Sequence, residues 1–132
     1  LITGLTRDSD WKSLVRATVE SVAYQSYDLF YSMNKDGLKP KVIKIDGGMV
    51  ANNWFSQFLS DVINLKVIRP KNLETTALGA AFLAGYQIGE FKSLNQIKNI
   101  SKKGKVFSPK MNKSFRNHIL QGWQQAIKKT LA

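Results

Sequence analysis

The sequence contains no cysteine. A disulfide framework, a thiolate metal site and a cysteine nucleophile are therefore all excluded. Histidine is nearly absent too: His118 stands alone on a basic stretch, and a lone histidine without a partner cluster is far more often structural than catalytic. Long apolar runs are missing. The longest stretch without a charged residue, Thr75 to Gly89, falls short of the ~20 apolar residues that a membrane-spanning helix needs. No basic-then-apolar leader opens the chain, which begins at Leu1. We expect either a trimmed sequence or a segment of a longer polypeptide. Asn99-Ile100-Ser101 and Asn112-Lys113-Ser114 fit the glycosylation tripeptide, but such triplets arise by chance and nothing else suggests secretion.

Acid is scarce as well. Nine Asp and Glu face 20 Lys and Arg, for a net charge of +11. All nine acids lie before residue 91, where the charges nearly cancel. Residues 91–132 carry Lys92, Lys98, Lys102, Lys103, Lys105, Lys110, Lys113, Arg116, Lys128 and Lys129 with no acid among them. A basic stretch of this kind can bind nucleic acid or an anionic membrane. Yet lysine far outnumbers arginine here, and arginine is the usual residue for bidentate recognition of bases and phosphates. The Lys-, Asn- and Ile-rich composition is what A·T-biased codons produce. We read a solvated surface in preference to a free-standing basic nucleic-acid-binding module, and expect neither nucleic acid nor membrane as a partner.

What is present suffices for a core. The chain has 132 residues, 43% of them hydrophobic and 11% aromatic. That is the size of about one domain, and it excludes a disordered polar chain. Thr6 to Asp10 is rich in capping oxygens and reads as a helix start. Leu14, Thr18, Val22, Gln25 and Leu29 follow at helical spacing, so a long helix is expected over roughly residues 10–34. Asn34 to Gly37 ends it, and Pro40 prevents a restart. Lys41 to Ile45 is short, β-branched and alternating, and reads as a strand. A helix over Val50 to Asn64 and a second strand over Lys66 to Arg69 complete a strand–helix–strand unit. Its simplest topology is a right-handed parallel crossover.

Thr75 or Thr76 is placed to cap a third helix, Ala77 to about Gln87, which is rich in small residues and ends at Gly89. Residues 92–110 are weakly patterned and read as a short helix with a connecting loop. Asn112 to Leu131 carries Phe115, Ile119, Leu120, Trp123, Ala126 and Ile127, an amphipathic last helix.

The chemically informative feature is the strand that runs into Asp46-Gly47-Gly48 and then into a helix. Glycines at the C-terminal edge of a strand permit positive φ and close backbone approach. The following helix start aims N–H groups and a positive dipole end at that edge. Such a place suits a phosphate or a nucleotide. Asn52 and Asn53 lie where amides could reach a base or ribose. Asp46 could touch a Mg²⁺-bound water or cap the turn. The same residues also fit a tight turn that needs glycine for geometry alone, so by themselves they leave both readings open. Neither the P-loop nor the Rossmann glycine pattern occurs, and the acids are too scattered for a metal site.

Taken in order, several segments resemble a known family. Gly4-Leu5-Thr6-Arg7, Arg16-Ala17 and Ala23-Tyr24-Gln25 come first. Lys44 through Asn53, then Gln57-Phe58, Asp61, Arg69-Pro70 and Glu74 through Gly85 follow. Phe107, Pro109 and Met111, with Gly122-Trp123 and Ala126-Ile127, close the set. Together they resemble the C-terminal segment of the glycerol kinases, within the FGGY carbohydrate kinases. Met49 stands where family members commonly carry alanine, and Asp8-Ser9-Asp10 replaces a usually smaller stretch. Related kinases for xylulose or gluconate share the fold and are the alternative.

The resemblance implies an α/β fold: a fragment of an actin-like, ribonuclease-H-like ATPase domain, with few short strands and several helices. Residues 1–132 would be the C-terminal part of the family's nucleotide-binding C-terminal domain, without the N-terminal domain. It implies ATP or ADP with Mg²⁺ as cofactors, and glycerol as the acceptor in the full-length enzyme. Gly48 and Asn52 map to family contacts with ADP, and Gly47 beside them completes the candidate cofactor-binding set. No catalytic residue and no metal ligand is expected here, because the catalytic aspartate and the glycerol contacts of the family lie upstream. The isolated chain is then expected to be inactive, with exposed apolar surface on its first and third helices. A homo-oligomer in the cytoplasm is the expected setting.

Overall fold

The computed structural model describes residues 1–100 and 104–131. Lys102 and Lys103 of the basic stretch, and Ser101 of one glycosylation triplet, fall outside the described residues. The long first helix, α1, spans Trp11–Lys35. Asp10 caps it, accepting from the Ser13 amide at 2.8 Å, which satisfies one of the orphan donors of the first turn. Gly37, at φ 89°, turns the chain away after it.

Strand β1, Val42–Lys44, and strand β2, Lys66–Pro70, pair in parallel, with Ile43 opposite Val67. One further ladder bond, from the Ile45 amide to the Ile68 carbonyl at 3.0 Å, carries the pairing to the edge of Asp46. The crossover between the strands differs from a single helix over Val50 to Asn64. A short 3-10 helix, Gly48–Ala51, comes first, and α2 then spans Asn53–Ile63. The break falls at Asn52, whose extended backbone is the cap of α2.

Helix α2 is the centre of the molecule. Phe55, Phe58, Leu59, Val62 and Ile63 are all buried, together with Val67 of the sheet and Ala23 of α1. A helix that is apolar on more than one face must be covered on more than one side. Here α1 covers one side through Val19, Val22, Tyr24, Tyr27 and Phe30, and the sheet covers another. The two buried serines of α2 leave no orphan hydroxyl. Ser56 donates to the Val50 carbonyl at 3.0 Å, and Ser60 to Leu65 at 2.7 Å.

Helix α3, Thr75–Gln87, follows β2, and α4, Leu94–Ile100, follows α3. The expected threonine cap is not formed: Glu74 occupies the cap position without a side-chain bond, and Thr75 already lies within the helix. No residue of α3 is buried; Leu83 is 64% exposed and the following Ile88 81%. Exposed apolar surface also marks the start of α1, at Trp11, Leu14 and Val15.

The loop expected before residue 110 contains a third strand. β3, Gly104–Phe107, pairs antiparallel with β2, giving the sheet order β1-β2-β3. Its only buried residue is Phe107, so it lacks the repeated apolar alternation that marks a strand in sequence. Helix α5, Lys113–Leu131, ends the description. Asn112 accepts from the Phe115 amide at 2.8 Å at its start. Trp123 stacks on Tyr24 of α1 at 5.4 Å and holds α5 to the core.

Candidate functional site

The candidate site is built where β1 ends. Asp46 leaves the strand, Gly47 reverses the chain at φ 91°, and Gly48 opens the 3-10 helix. A left-handed φ of this size penalises any residue with a Cβ, so Gly47 answers to backbone geometry. Gly48 is different. Its φ is not in that region, and a Cβ built on it meets nothing within 4 Å. Nothing in the surrounding chain accounts for glycine at this position. All three of Asp46, Gly47 and Gly48 are exposed, and no side chain caps the 3-10 helix that they introduce.

Asn52 lies one short helix further on. Its Oδ1 accepts from the amides of Trp54 at 2.9 Å and Phe55 at 3.3 Å. The dipole end of α2 is thereby capped by the protein itself. This corrects the expectation that α2 presents its unpaired amides to a phosphate. The side-chain nitrogen of Asn52 has no hydrogen-bond partner among the described residues. Asn52 also borders a cleft of about 360 Å³ formed with Trp11, Val15, Arg16 and Trp54. Arg16 lies over the Trp54 ring at 5.8 Å.

Asn53 is brought to a different task from the one its neighbour suggests. Its Oδ1 accepts from Arg69 Nη2 at 3.0 Å and from Lys105 Nζ at 3.1 Å. That oxygen is committed to the sheet, not presented to a base or ribose. Asp46 is likewise engaged, because its carboxylate accepts from the hydroxyl of Thr75. Met49, beside Gly48, is exposed.

Arg69 carried no chemical role in the sequence, yet it is the most connected side chain around the turn. Its Nη1 donates to the carbonyls of Val50 at 2.6 Å and Ala51 at 2.8 Å. Its guanidinium lies 5.5 Å from the Phe107 ring. The only available signal was an arginine at the end of a parallel strand, separated from the glycines in sequence by the whole of α2. Two larger clefts lie elsewhere: about 490 Å³ along Arg69, Lys71 and Lys105, and about 870 Å³ between α1 and α5. Neither is lined by Gly47, Gly48 or Asn52. His118 is exposed on α5, and no group of three or more His, Asp or Glu able to hold a metal occurs among the described residues.

Residues 1–88 match the model of the FGGY family of carbohydrate kinases, C-terminal domain. The chain is 49% identical over 132 residues to the glycerol kinase of Gluconobacter oxydans (strain 621H), covering 99% of this chain and 26% of that protein. It is 42% identical over 130 residues to the glycerol kinase of Streptococcus sanguinis (strain SK36), again 26% of that protein. Among solved structures it resembles Plasmodium falciparum glycerol kinase with ADP, at 35% identity and a TM-score of 0.86, covering 98% of this chain and 26% of that one. Gluconate kinase from Lactobacillus acidophilus is 25% identical with a TM-score of 0.75, covering 97% of this chain and 26% of that one. The α/β arrangement is that of the C-terminal domains of these kinases, an actin-like, ribonuclease-H-like fold. The chain spans about a quarter of the length of the relatives it matches.

Proposed function

The chain belongs to the FGGY family of carbohydrate kinases, and from that premise we propose that it is the nucleotide-binding C-terminal portion of an ATP-dependent glycerol kinase. The observation that carries the site is Gly48. It is a glycine with ordinary φ and open space around its missing Cβ, and one short 3-10 helix further on stands Asn52, whose side-chain nitrogen has no partner among the described residues. A ligand that lies flat against Gly48 explains the missing side chain, and the Asn52 amide supplies it with a hydrogen-bond donor. Gly47 sets the direction of the turn. The nucleotide proposed here is ATP before transfer and ADP after it.

In the reaction proposed, the 3-hydroxyl oxygen of glycerol bonds to the γ-phosphorus while the bridge to the β-phosphate breaks. The hydroxyl proton is released, leaving glycerol 3-phosphate and ADP. Such transfers are catalysed by positioning and charge stabilisation. This segment contributes positioning of the nucleotide. We place the base, the glycerol contacts and the ligands of Mg²⁺ beyond these 132 residues, in keeping with the quarter of each relative that the chain covers. Asp46 is occupied by Thr75, and we assign it no metal. The isolated segment is then inactive and binds nucleotide weakly. No helix among the described residues is long and apolar enough to cross a membrane, and we place the enzyme in the cytoplasm as a homo-oligomer.

Glycerol is preferred to gluconate or xylulose because the identity to glycerol kinases reaches 49%, against 25% for the two sugar kinases of Lactobacillus acidophilus. The test is a coupled ADP-release assay on the full polypeptide carrying this segment, with each of the three acceptors. Glycerol-dependent turnover is expected, and Gly48→Val and Asn52→Ala each raise KM for ATP. Turnover with gluconate or xylulose in place of glycerol contradicts the substrate. Unchanged KM in both variants contradicts the site.

A further inference from the structure

Arg69 sits at the end of β2, remote in sequence from the glycine turn, and its guanidinium makes three hydrogen bonds to one short stretch of chain. It donates to the carbonyls of Val50 and Ala51 at 2.6 and 2.8 Å, and to Asn53 Oδ1 at 3.0 Å. These three acceptors span the junction between the 3-10 helix and α2, on both sides of Asn52. On its other flank the group faces the ring of Phe107 in β3. Lys105 of β3 reaches the same Asn53 oxygen at 3.1 Å.

The junction needs such a support. Val50 and Ala51 carbonyls lie at the end of a helix of one turn, where backbone acceptors lack continuing partners. Ser56 meets the Val50 carbonyl from the buried side at 3.0 Å. Arg69 meets the same oxygen from the sheet. A planar guanidinium with donors in a fixed fork can hold several acceptors at set positions, which a lysine ammonium cannot.

We propose that Arg69 is a positioning residue for nucleotide: it fixes the Val50–Asn53 junction on the sheet and so sets the place of Gly48 and the Asn52 amide. It touches no nucleotide atom itself. The inference rests on the nucleotide reading of Gly48 and Asn52, and extends it to a residue outside that set. A misplacement of about 1 Å in a binding element can cost roughly a hundredfold, so the effect on nucleotide is large while the acceptor site is spared.

The test uses the full polypeptide with Arg69→Met and Arg69→Lys. Arg69→Met is expected to raise KM for ATP by roughly ten- to a hundredfold with KM for glycerol unchanged. Arg69→Lys, which keeps the charge but not the fork, falls between Arg69→Met and the parent. Hydrogen exchange without nucleotide is expected to quicken at residues 48–53 in Arg69→Met, ahead of the rest of α2. A purely structural role would lower the active fraction and leave KM for ATP unchanged; that result overturns the proposal. Unchanged exchange at residues 48–53 overturns it as well. If Arg69→Met does not fold, the decision rests on Arg69→Lys, where an unchanged KM for ATP counts against the proposal. If ADP protects no amide near Gly48 in the parent protein, the nucleotide reading itself fails, while quickened exchange in the variant still separates that failure from a failure of Arg69 to hold the junction.

Discussion

The hydroxyl of Thr75 donates to the carboxylate of Asp46, tying the first turn of α3 to the end of β1. The bond joins the residue before the glycine turn to a helix that buries none of its residues. A helix with so little packing depends on its few polar ties. Thr75→Val removes the hydroxyl at nearly constant shape. We expect faster amide exchange along α3, and a loss of about 1 kcal/mol in its local opening free energy. The rest of the sheet should be unaffected. Equal exchange in the variant would show that α3 is held by something else.

Asp61 is a buried carboxylate on α2. Its Oδ1 accepts from the backbone amides of Lys110 at 2.5 Å and Met111 at 3.1 Å, and from the Gln57 side chain at 3.1 Å. It anchors the chain between β3 and α5 to the central helix. Asp61→Ala leaves two backbone donors without their acceptor. The expected loss is about 1.5–3 kcal/mol by denaturant titration, the range for bonds to a charged group. Asp61→Asn keeps an acceptor and should lose less. A loss below about 0.5 kcal/mol in Asp61→Ala, the lower limit for a typical bond, would contradict this role.

Asp28 on α1 accepts from the Trp123 indole at 2.6 Å and from the Gln124 side chain at 3.0 Å. Trp123 is half-buried. Asp28→Ala leaves its N–H without a partner, at an expected cost of about 1–3 kcal/mol. Trp123→Phe removes the donor and keeps the ring stacked on Tyr24, so the double variant should be less costly than the sum of the two single changes. Strict additivity in that cycle would show that the two residues do not interact.

Burial, with Glu20 beside it, raises the Tyr24 hydroxyl well above the ordinary tyrosine value. The folded state therefore favours the protonated phenol. That contribution to stability is fully present below pH about 10, where an unfolded tyrosine begins to ionise. It is lost as pH rises through the folded value. Burial raises the Tyr27 hydroxyl as well, so ultraviolet titration should show two late-ionising tyrosines, of which Tyr24→Phe removes one. An unchanged late amplitude in Tyr24→Phe would contradict the assignment to Tyr24.

The elements that a single residue period could announce were legible in the sequence. The spacing of Leu14 to Leu29 places α1 within one residue at each end, and the strands expected over Lys41 to Ile45 and Lys66 to Arg69 form as Val42–Lys44 and Lys66–Pro70, paired in parallel. What was not legible depends on residues far apart in the chain. β3 is a strand because β2 offers it an edge, and only Phe107 in it is buried. Thr75 looked like a cap because threonine before an apolar run usually is one; its hydroxyl instead found Asp46. Asn53 shares its residue type with Asn52, but the two part ways once Arg69 and Lys105 arrive from the sheet. The glycine turn was legible as a turn. That Gly47 needs its φ while Gly48 faces open space emerges only in three dimensions.

The charge of +11 is testable on its own terms. The bonded cations serve local structure: Arg69 and Lys105 meet Asn53, and Arg116 donates to Asn64 at 3.0 Å. Arg16 pairs with Glu20 at 2.6 Å. We expect no salt-dependent mobility shift of labelled DNA or RNA at physiological ionic strength. A shift that weakens steeply with salt would favour the nucleic-acid reading.

The central claim is that Gly47, Gly48 and Asn52 receive a nucleotide. Hydrogen–deuterium exchange of the full polypeptide with and without ADP tests it most directly. Protection concentrated at residues 47–52 is the predicted result. ADP binding with no change in exchange at those residues would contradict it.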